Sequence, residues 1–94
     1  MPRRNRVLVV DDEAAILSSL RFALEDHFDI MTAADSAGAL QAAEMHSVDV
    51  CLVDLRLGSE NGMELVEKLK ERLPDASMVI MTAYGTIRSA VECM

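Results

Sequence analysis

Short apolar runs alternate with longer stretches in which apolar residues recur every three or four positions, and the alternation continues along the whole chain. Arg6 to Val10 is brief and β-branched, the mark of a buried strand. From Ala14 to Asp26, Ile16, Leu20, Ala23 and Leu24 fall on one face of a helix. Phe28 to Ala33 predicts a second, weaker strand. Asp35 or Ser36 can cap the next helix, which carries Ala37, Leu40 and Ala43 on one side and ends near His46. Val48 to Val53 predicts a third strand, almost unbroken in apolar residues. A loop containing Gly58, Asn61 and Gly62 follows, and there Asn61 and Gly62 read as turn and cap chemistry. Met63 to Leu73 predicts a third helix with an inner stripe of Met63, Val66, Leu69 and Leu73, and Pro74 helps to stop it. Met78 to Met81 is the core of a fourth strand, and Ile87, Ala90, Val91 and Met94 begin a fourth helix.

Strands that are apolar on both faces, each joined to the next by a helix, predict an α/β fold with a parallel sheet covered by helices on both sides. The sequence contains no linker, repeat or low-complexity segment, so residues 1–94 read as one domain.

Composition narrows the function. The formal net charge is −7. Affinity for nucleic acid depends on Lys and Arg neutralising phosphates, so this balance argues against direct nucleic-acid binding and admits cations. Arg3, Arg4 and Arg6 form the one basic cluster and read as a solvated terminal tail. Aromatics make up only 3%, so aliphatic residues and some of the 7 Met must fill the core. The 2 Cys, at positions 51 and 93, share no metal-ligand spacing. Reduced thiols in a cytosolic protein are the simplest account of them. No signal peptide is visible, and no run approaches the ~20 apolar residues of a membrane span.

The informative polar residues stand at the ends of the strong strands. The first ends in Asp11-Asp12-Glu13, the third in Asp54 and the fourth in Thr82. In a parallel sheet with right-handed crossovers all strand C-termini lie along one edge, and ligands bind there where the strand order reverses. Three separate segments would thus gather two or three carboxylates and a hydroxyl. Such carboxylates repel one another unless one is protonated or a cation binds. Mg²⁺ suits the set, because it takes oxygen ligands from one or two carboxylates and a phosphate. A carboxylate beside it can act as a nucleophile toward a phosphoryl donor. Each residue has a plainer reading. Asp12 can cap the helix that begins near Ala14, with Glu13 favouring its dipole. Asp54 and Thr82 can be ordinary strand-end residues. The coincidence at three strand ends favours a site. His27 and His46, at helix ends, suit the helix dipole better than catalysis. Tyr84 either borders the site or packs on the surface.

Val7-Leu8-Val9-Val10-Asp11-Asp12-Glu13, Val50-Cys51-Leu52-Val53-Asp54-Leu55-Arg56-Leu57 and Val79-Ile80-Met81-Thr82-Ala83-Tyr84-Gly85 resemble the receiver domains of two-component response regulators. The likeness covers the whole chain. Met81-Thr82-Ala83-Tyr84-Gly85-Thr86-Ile87 is most similar to receivers that precede an ATPase and a DNA-binding output in transcription activators. The resemblance implies a flavodoxin-like, doubly wound sheet. It implies phosphorylation of Asp54 by a sensor histidine kinase and a conformational switch that controls an output domain outside this chain. Asp12 would bind Mg²⁺ directly, Asp11 would assist partly through water, and Asp54 and the backbone carbonyl of Arg56 would complete the protein's share of the shell. Thr82 would move toward the phosphate, and Ala83 would leave it room.

Two departures stand out. The family often has Pro four residues after the phosphorylated Asp, where this chain has Gly58, which adds backbone freedom at the rim of the site. Receivers also continue into a fifth strand, ending in a Lys that contacts the phosphoryl group, and a fifth helix. This sequence stops at Met94, and Lys68 and Lys70, on the third helix, cannot replace that Lys. The expectation is therefore an incomplete receiver of four strands, with the fourth as an open sheet edge. The alternative is a phosphorylation-impaired fragment that serves as a metal-binding or dimerisation module, forming a homodimer through that edge. An aspartyl phosphatase would carry an acid two residues after its nucleophile. Arg56 holds that position after Asp54, and Glu13 holds it after Asp11.

Overall fold

A computed structural model describes residues 4–58 and 60–81. The elements are β1 (Arg6–Val10), α1 (Ala14–Leu24), β2 (Asp29–Ala33), α2 (Ser36–Met45), β3 (Val50–Asp54), β4 (Arg56–Leu57), β5 (Glu60–Asn61), α3 (Gly62–Arg72) and β6 (Ser77–Met81). The expected fourth helix, Cys93, Thr82, Ala83 and Tyr84 lie outside the described residues.

β1, β2, β3 and β6 form a parallel sheet in the order β2-β1-β3-β6. The chain first steps from β1 to β2 on one side, then crosses back past β1 to β3 and continues to β6. Right-handed crossovers require the helix of the first step to lie on one face and the helices of the later steps on the other. Side-chain alternation agrees. Leu8, Val10, Ala33, Cys51, Val53 and Ile80 point into one core with Ala39 and Ala43 of α2 and Leu65, Val66 and Leu69 of α3. Val7 and Val9, also buried, face the opposite way, beneath α1. β1 is thus covered on both sides, which is why its apolar run is unbroken.

The helices differ from the expected stripes in instructive ways. In α3 the phase is set by Leu65, Val66 and Leu69, while Met63 is 37% exposed and Leu73 only half-buried. In α1 the inward residues Leu17, Leu20 and Leu24 are half-buried, and Ile16 is exposed. Among the described residues α1 packs chiefly on β1 and β2, so it covers a narrow strip of sheet. The N-cap of α1 is Glu13, whose carbonyl accepts from Ile16 and Leu17. Asp12 therefore does not cap it. α2 is capped by Asp35, which accepts from the Gly38 N–H at 2.8 Å. Of the arginines at the start, Arg4 and Arg6 are not a free tail, while Arg3 lies outside the described residues. Arg4 donates to the carbonyls of Glu25 and Phe28, and Arg6 to that of Ser47. The loop after β3 holds structure of its own, the antiparallel β4–β5 hairpin, pairing Arg56 with Asn61 and Leu57 with Glu60.

Candidate phosphoacceptor and metal site

The strand order reverses between β1 and β3, and the acids stand at the carboxyl ends of these two strands. Pairing of Val10 with Val53 sets β1 and β3 in step, so Asp11-Asp12 and Asp54 follow side by side. The β1–β2 ladder extends one residue through the Asp11 N–H, which donates to the Ala33 carbonyl at 3.1 Å. On the far side of β3, the Leu55 N–H donates to the Met81 carbonyl at 3.0 Å. Both acidic segments are therefore held by sheet hydrogen bonds up to the point where they leave the sheet.

Asp11, Asp12 and Asp54 each offer a carboxylate oxygen such that the three lie within 4.8 Å of one another. Oxygens about 2.1 Å from an octahedral Mg²⁺ are separated by about 3 Å in cis and about 4 Å in trans, so a small inward closure of this set suits the ion. Exposure is graded across the cluster. Asp11 is only 5% exposed, Asp54 is intermediate and Asp12 is exposed. Asp11 Oδ1 accepts from the Glu13 N–H at 2.9 Å, and Asp54 Oδ1 accepts from the Arg56 N–H at 3.0 Å. Each carboxyl plane is thus oriented by the backbone two residues on, as in Asx turns.

Burial holds the Asp11 carboxyl above its ordinary value of 3.8. The Glu13 N–H opposes that rise, and the like charges of Asp54, Asp12 and Glu13 add to it. A divalent cation would relieve both the desolvation and the repulsion. The chemistry of the donor set, all hard oxygen, fits such an ion.

Of the residues singled out in the sequence, the structure gathers Asp11, Asp12 and Asp54 and brings Gly58 beside them. Gly58 adopts a left-handed backbone with φ 60°, and a Cβ there would stand 3.8 Å from Asp12 Oδ2. Its role is thus a defined turn and not added freedom. His46 is the C-cap of α2, at the sheet edge away from the acids. Two contributions escaped the sequence reading, which took Gly62 only as turn and cap chemistry and did not single out Glu60. Gly62 packs directly on the backbone of Asp54 and Leu55, and Glu60 bonds the first turn of α2. A glycine just after a strand and loop is a readable sign of close backbone approach. The Glu60 contact is non-local and leaves no local signal.

Comparison with known proteins gives a consistent result. The family described as response regulator receiver domain matches residues 7–94. The alginate biosynthesis transcriptional regulatory protein AlgB of Pseudomonas aeruginosa is 36% identical over 93 residues, which covers 98% of this chain and 21% of that protein. The photosynthetic apparatus regulatory protein RegA of Cereibacter sphaeroides is 40% identical over 89 residues, covering 94% of this chain and 48% of that protein. The chain thus spans about a fifth to about half of the length of these curated relatives. A crystal structure of a response regulator from Burkholderia pseudomallei, with a phosphorylated aspartic acid, a calcium ion and citrate, superposes with a TM-score of 0.83 at 30% identity, covering 94% of this chain and 52% of that one.

Proposed function

Because the chain belongs to the response regulator receiver domain family, we propose that Asp54 is its phosphoacceptor, served by Mg²⁺ held between Asp11, Asp12, Asp54 and the backbone carbonyl of Arg56. The observation that carries this reading is the convergence of three carboxylates from two adjacent strand ends at the reversal of the sheet.

The Arg56 N–H orients the Asp54 carboxylate. An Asp54 oxygen attacks phosphorus, a P–O bond forms and an acyl phosphate results. With a phosphohistidine donor, the P–N bond breaks and its electron pair stays on the imidazole nitrogen, which takes up a proton. Mg²⁺, when bound, would neutralise charge on the transferring group and orient the donor. Asp11 contributes from a buried position, where its charge acts with little screening. Asp12, more exposed, stands beside the β4–β5 turn at Gly58. Thr82 and Ala83 are assigned the phosphate-sensing role on the family resemblance alone.

The donor proposed is a sensor histidine kinase, and the reader of the switch is an output domain in a longer protein, of the transcription-regulating kind seen in AlgB and RegA. The charge of −7 supports a reading in which DNA contact belongs to that output domain rather than to the receiver. No helix among the described residues is long and apolar enough to cross a membrane, and the proposed location is the cytoplasm.

Intact-mass analysis after incubation with Mg²⁺ and acetyl phosphate tests the acceptor. A gain of one phosphoryl mass that is absent from Asp54→Asn is expected. The same gain in Asp54→Asn would overturn the assignment.

A further inference from the structure

The β4–β5 hairpin, which leaves the sheet at Asp54, is tied down at its root and on its returning strand. At its root the Arg56 N–H holds Asp54 Oδ1 at 3.0 Å, and the Gly62 N–H returns to the Leu55 carbonyl at 3.0 Å. At its turn Gly58 faces Asp12, so that a Cβ there would stand 3.8 Å from Asp12 Oδ2. On the returning strand Glu60 Oε1 accepts the backbone N–H of Ser36, the first residue of α2, at 3.1 Å. α2 carries no acidic residue in its own first turn. Asp35 caps it from outside and satisfies Gly38, so Glu60 supplies a second carboxylate to the orphan N–H groups and to the positive end of the helix dipole. A bond of this type to an ionised acceptor is stronger than a neutral one.

We propose that Glu60 is a positioning residue for the metal site: its bond to the N-terminus of α2 fixes the β4–β5 hairpin, and with it the Arg56 carbonyl and the Gly58 turn, over Asp11, Asp12 and Asp54. The inference rests on the metal-site reading given above. Mg²⁺ demands near-ideal octahedral geometry and so responds to displacement of one oxygen ligand. Leu57 is paired with Glu60 and is buried, at 3% exposure, in the core shared with α2 and α3, so the strand next to Arg56 has an apolar anchor on one side. The Glu60–Ser36 bond is the polar anchor on the other. Without it the returning strand loses its bond to α2, and the turn that it leads back from, near Asp12, is loosened.

The test compares wild type, Glu60→Leu, Glu60→Gln and Asp54→Asn by titration calorimetry with Mg²⁺ alone at neutral pH, and by residue-resolved amide exchange in the metal-free protein. Glu60→Leu is expected to weaken Mg²⁺ binding about tenfold, the lower end for a residue that orients a ligand, and to speed exchange of the Ser36 amide. Glu60→Gln keeps an acceptor oxygen and is expected to restore most of both. Glu60→Leu with wild-type Mg²⁺ affinity but a faster-exchanging Ser36 amide overturns the proposal alone, because the bond then exists without consequence for the site. Glu60→Gln behaving as Glu60→Leu also overturns it. Wild type that binds no Mg²⁺ overturns both the proposal and the metal-site reading beneath it.

Discussion

Gly62 and Leu55 are locked together: the Gly62 N–H donates to the Leu55 carbonyl at 3.0 Å, and a Cβ on Gly62 would fall 2.6 Å from the Leu55 Cα. The same Cβ would also run into the carbonyl oxygen of Asp54. The contact is backbone on backbone, so no rotamer change can relieve it. α3 therefore begins flush against the segment that carries the proposed acceptor.

Gly62→Ala should then force apart the start of α3 and the end of β3. A loss of about 1–3 kcal/mol is expected, in the range of overpacked or strained buried sites. Chemical denaturation would show a lower midpoint with an unchanged slope. Because the displaced atoms belong to Asp54 and Leu55, Mg²⁺ affinity should fall as well. A variant with wild-type stability would mean that the two backbones can separate at no cost.

Asp11 predicts how pH and metal interact. Its carboxyl is raised above 3.8, first by burial and then by the charges of Asp54, Asp12 and Glu13, against the opposing Glu13 N–H. The folded state thus holds the proton more tightly than the unfolded chain. Its contribution favours folding at low pH and is lost as pH rises through the raised value. At neutral pH the metal-free protein carries this strain in full. Asp11→Asn should raise the Tm of the metal-free protein by a few degrees at neutral pH while weakening Mg²⁺ binding by about tenfold or more. In wild type, the gain in Tm from Mg²⁺ should shrink as pH is lowered toward the raised value, because the ion must displace the proton. Thermal melts with Mg²⁺ or with chelator across that range decide the point. A metal-induced gain independent of pH would contradict it.

The sheet was legible because β1, buried on both faces, and β3, buried on one face and half-buried on the other, read as unbroken apolar runs ended by acids. The convergence of the candidate site's acids was legible for a topological reason: parallel strands bring Asp11, Asp12 and Asp54 to one edge wherever they lie in sequence. The β4–β5 hairpin was not, since strands of two residues have no periodicity to detect. The α3 stripe was misjudged at Met63 because the face is fixed by Leu65, Val66 and Leu69, one position along. For α1, amphipathicity tells which face turns inward but not how much sheet lies beneath it. Arg4 and Arg6 read as a tail because their acceptors, carbonyls of Glu25, Phe28 and Ser47, are distant in sequence and chemically silent. The Thr82-Ala83-Tyr84 reading lies outside the described residues.

Cys51 illustrates a buried thiol with no reactive role. It lies on β3 between Leu8 and Met78, is 0% exposed, and burial pushes its thiol up to about 11. The thiolate is the nucleophile, so both access and ionisation are suppressed. Iodoacetamide at pH 8 should leave the Cys51 peptide unmodified in the native protein and label it fully in denaturant, as read by peptide mass mapping. Cys51→Ser, which puts a hydroxyl among apolar neighbours, should destabilise by about 2 kcal/mol. Rapid native labelling would show that β3 opens readily.

Gly58 is the position at which receivers often carry Pro, and the structure predicts that Pro would be harmful here. The observed φ is 60°. A prolyl ring holds φ near −65°, so the β4–β5 turn cannot form in its present shape around Pro. Ala can reach the left-handed region at a cost of about 1–2 kcal/mol, and Asn visits it more readily. The neighbouring Asp12 Oδ2, 3.8 Å from a built Cβ, leaves ordinary contact distance, so the penalty for Ala is one of backbone conformation and not of collision. The expected order of stability is Gly58, then Asn, then Ala, then Pro. Mg²⁺ affinity should follow the same order, because a side chain at position 58 would come within contact distance of Asp12 Oδ2. Denaturation midpoints and calorimetric Mg²⁺ titration of the three variants would establish it. A Gly58→Pro protein as stable and as tight for Mg²⁺ as wild type would show that the hairpin can adopt a second turn without disturbing the acids.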